Sequence, residues 1–522
     1  MRAWTRLAAV AAMVVMAMVH PAAAGNGGEL YREHCASCHG ANRLGGTGPA
    51  LLPANLRRLR PAEANAVITD GRPATQMPAF GDRLDEADVA ALVDYIYTAP
   101  ASVPEWNEAE IESSRVVHDG AMDLPDRPVF DADPMNVFLV VEKGDHAITV
   151  LDGDRFEPIA RFSTRFALHG GVKYSPDGRF AYFMSRDGWV TKYDLYNLRK
   201  VVEVRAGVNS RNIAVSADGR LLAVANYLPH TLVVLDAGDL SVLQVIPVRD
   251  GEGRTSRVSA VYTAPPRHSF IAALKDIPEV WEIPYDDEAE ALPVYRGIMH
   301  DYRRESGEKP PLDERRFPVR RIRVAGYLDD FFFDPEYEHV VGASRDGGGQ
   351  VVNLTVGKPV AALDVPGLPH LGSGITWDHQ GREVMATPNL KEGVLTVIDT
   401  RNWSVIKRIE TLGPGFFLRS HDDTPYVWTD VFFGPHRDAL HVIDKQTLEI
   451  VKTLRPAPDK TAAHVEFTRD GQYALVSVWA EDGALVVYDA ETLEEVARLP
   501  MKKPSGKYNV WNKTHYVRGT SH

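Results

Sequence analysis

Tyr174-Ser175-Pro176-Asp177-Gly178-Arg179 is a turn that this chain writes more than once. Val215-Ser216-Ala217-Asp218-Gly219-Arg220 and Phe467-Thr468-Arg469-Asp470-Gly471-Gln472 follow the same plan. Asp-Gly signals a turn because glycine reaches positive φ without a steric penalty and the aspartate side chain bonds the backbone ahead of it. A second β run, often ending in Asp, closes each unit: Ile148–Asp152, Val190–Asp194, Leu232–Asp236, Val280–Ile283, Val351–Leu354, Leu395–Asp399, Leu440–Asp444 and Leu485–Asp489. Successive ends lie 42, 42, 47, 71, 45, 45 and 45 residues apart. A repeat of about 40–50 residues built from short β runs and Asp-Gly turns signals a β-propeller, so eight blades are predicted. The long fourth interval holds a charged, proline-containing insert, about 285–320, expected to be an exposed loop. Lys507-Tyr508-Asn509-Val510-Trp511 is expected to supply a strand that closes the ring on the first blade.

Upstream of the repeats the pattern changes. Cys35-Ala36-Ser37-Cys38-His39 holds the only two cysteines of 522 residues. C-x-x-C-H is the signature of covalent c-type haem attachment, because each thiol adds to one vinyl group and the histidine supplies an imidazole to the iron. A redox dithiol or half a zinc site is the plainer alternative, and a preceding export signal disfavours it. Met77 in Thr75-Gln76-Met77-Pro78 is the candidate sixth ligand, since a thioether opposite imidazole raises the potential; as one of 11 methionines it could instead be core. Leu30-Tyr31 ends a first helix, Ala62–Ile68 makes a short one after Pro61, and Leu84–Ile96 has helical period with acidic residues at its start. That last helix should pack on the first. The chain is therefore predicted to be multidomain: a signal peptide at 1–24, a small all-α c-type cytochrome at 25–105, and an all-β eight-bladed propeller at 106–522. Pro100 to Pro134 reads as an aperiodic linker and entry.

Residues 1–24 carry Arg2 and Arg6, an apolar run from Leu7 to Val19, and Ala22-Ala23-Ala24 before Gly25. This is the layout of a secretory leader. The run is short of the roughly 20 residues that span a bilayer, so no transmembrane segment is expected in the mature chain. A periplasmic location follows and suits haem attachment. The formal charge is −13, from 58 basic against 71 acidic residues, which argues against nucleic acid as a partner.

A c-type cytochrome followed by an eight-bladed propeller resembles the cytochrome cd1 family over almost the whole mature chain. In that family the propeller binds haem d1. Phe166-Ala167-Leu168-His169-Gly170 is similar to the segment carrying the proximal d1 ligand, which the resemblance assigns to His169. Ser185-Arg186-Asp187-Gly188, Ser210-Arg211 and Asn226-Tyr227-Leu228-Pro229 resemble segments lining the pocket, with Arg186 and Arg211 expected to hold d1 carboxylates through forked, charge-assisted bonds. Ser477-Val478-Trp479 and Pro504–Val510 resemble the last blade.

The departure from the family pattern bears on function. The family's nitrite reductases carry two distal histidines that protonate nitrite. Lys275 in Ala273–Glu279 and Asp329 in Tyr327-Leu328-Asp329-Asp330 stand in their places. An aspartate is ordinarily an anion at neutral pH and lysine a poor proton shuttle there. The cytochrome stretch 72–77 and the stretch Tyr426–His436 are instead similar to a branch that oxidises a propionate side chain of dihydro-haem d1 to an acrylate, completing haem d1. This implies an oxidoreductase with one covalent haem c, with dihydro-haem d1 as substrate and haem d1 as product. It also implies a transient complex with the cd1 nitrite reductase and an electron acceptor. A nitrite reductase and a non-catalytic d1 carrier remain as rivals. Forming C=C from CH2–CH2 releases two protons and two electrons, so a base is needed beside the side chain. His421 in Arg419-Ser420-His421-Asp422 and His436 in Gly434-Pro435-His436 are the candidates, both in inter-strand loops of one repeat, with His370 behind them. Lys275 and Asp329 are expected on the altered distal side.

Overall fold

The computed structural model describes residues 27–57, 59–72, 77–102, 104–120, 124–286, 316–343 and 348–515. The leader, Thr75 and Gln76, and most of the insert lie outside the described residues.

Helix α1 (Gly27–His34) runs into a short helical turn, α2 (Ala36–His39), which carries the haem motif. After the four-residue α3 (Pro53–Leu56), α4 (Pro61–Asp70) places its proline at the first helical position, where the missing N–H costs nothing. Helix α5 (Glu86–Tyr97) starts at Asp85, whose side chain accepts the Asp88 amide at 2.8 Å. It packs on α1 as expected. Gly27 permits the approach, since a Cβ there would lie 2.4 Å from Ala91 O, and the Tyr31 and Tyr95 rings are 5.3 Å apart. Tyr31, Leu56, Ile68, Phe80, Leu92 and Ile96 form the buried centre of this unit.

The stretch read as an aperiodic linker is more ordered than its prolines suggested. Helix α6 (Glu108–Ser113) forms there behind an Asn107/Glu110 capping box, and Ile111 is fully buried against blades 2 and 3. Val116–Val117 then adds a fifth, outer strand to that blade, opposite Val202 and Glu203.

Eight four-stranded antiparallel sheets follow, in the number the repeats predicted. The runs taken as closing strands are the third strand of each blade; a fourth lies outside them. These outer strands alternate exposed and half-buried residues, as in Pro158–Ser163 and Glu495–Met501, and so lack a continuous apolar run to read. The C-terminal segment closes the ring, but the strand ends at Asn509, and Val510 and Trp511 of the predicted stretch are helical. Pro504–Asn509 becomes the innermost strand of blade 1, pairing with Val137–Glu142 in the register Phe138↔Asn509 and Leu139↔Tyr508. Helix α7 (Val510–Thr514) then turns across the axis.

Candidate functional site

Strand direction sorts every loop onto one of two faces. The inner strand of blade 2, Leu168–Tyr174, pairs with Phe180–Ser185 so that Leu168 faces Ser185 at one end and Tyr174 faces Ala181 at the other. The Asp-Gly turns leave the second end and share one face of the ring, the turn face. The starts of inner strands and the ends of second strands share the other, the pocket face.

The predicted pocket residues gather on that second face. His169 lies second in its inner strand, opposite Met184. Arg186 is half-buried; its amide donates to Ala167 O and its carbonyl accepts the Ser210 amide, both at 3.0 Å, so it bridges the starts of the inner strands of blades 2 and 3. Arg211 is anchored by Ser259 O at 3.1 Å and Asp330 at 3.4 Å, and it interacts with Tyr227, which brings two of the predicted residues together. Arg257 stacks over Tyr227 at 5.6 Å. Lys275, at the end of the second strand of blade 4, pairs with Asp329, which precedes the inner strand of blade 5. The two residues standing for the distal histidines thus form a buried ion pair with each other. Each side chain's charge is engaged by the other.

The opposite arc of the face is apolar. Starting from His370, rings follow one another around blades 6 to 1. His370 and Phe416 lie 4.2 Å apart, Phe416 and Phe417 4.5 Å, Phe416 and Phe432 5.3 Å, Phe432 and Trp479 5.5 Å, Phe417 and His464 4.7 Å, and His464 and Tyr508 5.4 Å. Glycines make room for the last ring: a Cβ on Gly506 would fall 2.1 Å from Tyr508 Oη, and one on Gly171, where φ is +77°, 3.1 Å from its edge. Cations on one arc and flat aromatic walls on the other form a seat for a large planar ligand bearing carboxylates on one side.

Two polar groups in the aromatic arc lack a hydrogen-bond partner among the described residues: His464 Nδ1 and Trp479 Nε1. His464 is 2 % exposed, and burial, with Lys507 and Arg419 nearby, holds it neutral by pushing its pKa well below 6.5. Asp430 accepts amides from Phe416, Phe417 and His464 at 2.7, 3.0 and 3.3 Å, and burial raises its carboxyl to about 6. Sequence reading missed His464 and Tyr508 because it sought histidines in loops, whereas His464 lies inside an inner strand. Its position was a usable signal, because it falls four residues before the Thr468 turn, in the strand each blade presents to the axis.

The two histidines proposed as bases are separated by the fold. His421 follows the inner strand Leu418–Ser420 and therefore lies on the turn face, where a Cβ on Gly471 would touch its Nδ1. It is 2 % exposed, its Nδ1 accepts the Asp423 amide at 3.2 Å, and Lys445 donates to its carbonyl. His436 is exposed on the pocket face, in the loop between second and third strands. Consecutive loops of an antiparallel blade leave from opposite faces, so membership of one repeat does not bring them together. His370 is on the pocket face, its Nδ1 bonded to Phe416 O at 2.7 Å.

In the cytochrome, His39 is 7 % exposed and its Nδ1 is 2.8 Å from Pro49 O, which leaves Nε2 for a metal. Burial lowers its pKa, keeping the ring neutral as a ligand must be. Gly48 is required there, because a Cβ would lie 2.8 Å from the ring. Cys35 and Cys38 lie one helical turn apart. Met77 packs at the edge of the same apolar cluster as Cys35. These residues fit a covalently held haem. Tyr31 donates to Gly40 O at 2.7 Å inside this unit. The loop carrying Pro49 rests on the propeller: Leu44, Ala50 and Leu52 pack with Val208, Leu228 and Trp106, and Asn55 donates to Val208 O at 3.0 Å.

Comparison with known proteins agrees with both halves of this description. Residues 132–306 and 312–513 match the cytochrome D1 heme domain, and residues 22–96 match the family described as cytochrome c oxidase, cbb3-type, subunit III. The chain is 57 % identical over 518 residues to the dihydro-heme d1 dehydrogenase of Pseudomonas aeruginosa, covering 99 % of this chain and 100 % of that one. A solved structure of dihydro-heme d1 dehydrogenase NirN in complex with DHE superimposes with TM-score 0.87 at 58 % identity, covering 94 % of this chain and 100 % of that chain. A nitrite reductase from Stutzerimonas stutzeri is 25 % identical over 93 % of this chain and 92 % of its own.

Proposed function

The chain belongs to the cytochrome D1 heme domain family, and from that premise we infer that it is a dihydro-haem d1 dehydrogenase. It is an oxidoreductase that removes two hydrogens from a propionate side chain of dihydro-haem d1 and leaves an acrylate. The single observation that carries this over a nitrite reductase is the Lys275–Asp329 pair, which puts mutual neutralisation where nitrite reduction needs proton donors.

His169 is the proximal ligand of the substrate iron, a role its place at the head of an inner strand supports. Arg186 and Arg211, with Tyr227 beside them, hold substrate carboxylates. His370 suits the opposite side of the ring: like His39 it gives Nδ1 to a backbone carbonyl, which directs Nε2 outward. His464 takes a proton from the side chain, since it is buried in the aromatic arc beside Tyr508 and its Nδ1 has no hydrogen-bond partner among the described residues. Tyr508 lies beside it to orient the carboxylate. His436 stands at the rim of the same face, while His421 lies in a loop on the turn face. Cys35, Cys38, His39 and Met77 would hold haem c, which when bound would supply a one-electron acceptor. The cytochrome loop that carries Pro49 touches Val208, two residues before Ser210-Arg211, so the two sites share an interface.

The leader-like first 24 residues support a periplasmic location, and among the described residues no helix is long and apolar enough to cross a membrane. Product d1 must reach a nitrite reductase, which supports a transient complex with that enzyme and with an electron acceptor.

The test is to mix haem-c-loaded protein with dihydro-haem d1 and an electron acceptor and to follow the d1 spectrum. Formation of d1 at a rate proportional to enzyme is expected. Binding without conversion would identify a carrier, and rapid nitric oxide formation from nitrite would identify a nitrite reductase.

A further inference from the structure

Dehydrogenation releases two protons inside an aromatic pocket that offers few places to put them. The electrons leave through haem c, so the protons need a separate exit. Beneath the aromatic arc, on the propeller axis, lies a group of buried ionisable residues that the reaction as described does not use. Glu466 is fully buried and two residues beyond His464 on the same inner strand. Its Oε1 accepts from Asn512 Nδ2 at 3.2 Å. Its Oε2 lies 3.6 Å from Lys513 Nζ and 3.8 Å from Arg419 Nε. The groups facing Glu466 are Arg419 from blade 7, Tyr174 from blade 2, and Lys507, Tyr508 and Lys513 from the C-terminal segment.

Tyr508 belongs to both neighbourhoods. Its ring is 5.4 Å from His464 above and 6.0 Å from Lys513 Nζ below, and its carbonyl accepts from Tyr174 Oη at 2.8 Å. Lys513 in turn lines a cavity of about 310 Å³ together with Lys173, Tyr174, Tyr262 and Asn512. Pro176, Ala217 and Pro265, which belong to the connections leaving the inner strands of blades 2, 3 and 4, line it too, so it lies toward the turn face. Burial lowers the Lys513 ammonium to about 7, a value at which it gives and regains a proton with little bias.

We propose that Glu466 and Lys513 form a proton exit through the propeller axis, receiving the proton released at His464 and Tyr508 and passing it to the cavity on the turn face. This rests on the dehydrogenase reading. The balance is simple: the substrate loses two protons and two electrons, a bound haem c would accept the electrons singly, and the axial residues hand each proton to water in the cavity without net change. Glu466 and Lys513 do not touch substrate; they act through His464 and Tyr508.

The experiment uses haem-c-loaded Glu466→Gln and Lys513→Met in single-turnover conversion of dihydro-haem d1, in H2O and D2O, with substrate affinity titrated separately. The wild type is run first; if it fails to convert, the dehydrogenase reading has failed, and the exit with it. Expected for each variant is a rate loss of about tenfold or more at unchanged affinity. A larger solvent deuterium effect than the wild type's and partial rescue by rising methylamine are also expected. Wild-type rates in both variants would overturn the proposal. So would slowing without an isotope effect or rescue, which marks a merely structural role. Should Glu466→Gln fail to fold, Lys513→Met, in the short terminal helix, decides alone.

Discussion

The cytochrome and the propeller each hold a tetrapyrrole site, and they are built in opposite ways. The cytochrome's anchor is five consecutive residues, Cys35 to His39, with one backbone carbonyl, Pro49 O, fixing the imidazole. The propeller's candidate seat draws single residues from blades 2 through 8 and from the closing strand of blade 1, spread between His169 and Tyr508. A covalent anchor can be local because two bonds do the holding. A site that must bind its substrate and release it as product has no covalent bond to rely on, and so recruits many weak contacts from a rigid ring.

The largest effect should come from the local site. Cys35→Ser with Cys38→Ser should abolish covalently attached haem, seen by haem staining of the denatured chain. It should stop multiple turnovers while the propeller still binds dihydro-haem d1. Retained binding is what separates the two sites; its loss would show that they are one cooperative unit. Next, His464→Gln should lower single-turnover conversion by about 10²-fold with affinity little changed, as expected for loss of a proton-transfer group. Unaltered conversion would move the base to His436. Lys275→Met leaves Asp329 in a buried position without its cation, which should cost about 3 kcal/mol in urea unfolding of the holoprotein.

Acid should expose the same contrast. Burial, and then Arg455, push His441 down to about 4. Between about pH 6.5 and 4 the unfolded chain binds a proton there that the folded chain refuses, so stability falls as the pH falls through that window. The loss for this one group is about 3 kcal/mol, and His441→Gln should flatten the slope. The smallest effect belongs to His421→Asn on the turn face: turnover unchanged, with about 1 kcal/mol lost from its buried hydrogen bonding.

Much of this was legible along the chain. The Asp-Gly turns and their spacing gave eight blades, and Cys35 to His39 gave the haem c site, because both signals are local and repeat or stand contiguous. The outer strands were harder to see, since their half-exposed faces carry no unbroken apolar run. The order in 106–117 was hidden because a six-residue helix and a two-residue strand are stabilised by blades 2 and 3, not by their own propensities.

The candidate site residues divide along the same line. Arg186, Arg211 and Tyr227 could be placed by family resemblance, and the structure gathers them on one face. That Lys275 and Asp329 neutralise each other, that His421 and His436 point to opposite faces, and that His464 and Tyr508 meet were decided only by tertiary structure. Sequence determined the repeat, the haem motif and the loss of two histidines, all carried by residues read one at a time. The fold determined which side of the ring each residue serves, because antiparallel strands reverse the direction of travel at every turn. Proximity across blades depends on that geometry, and not on distance along the chain.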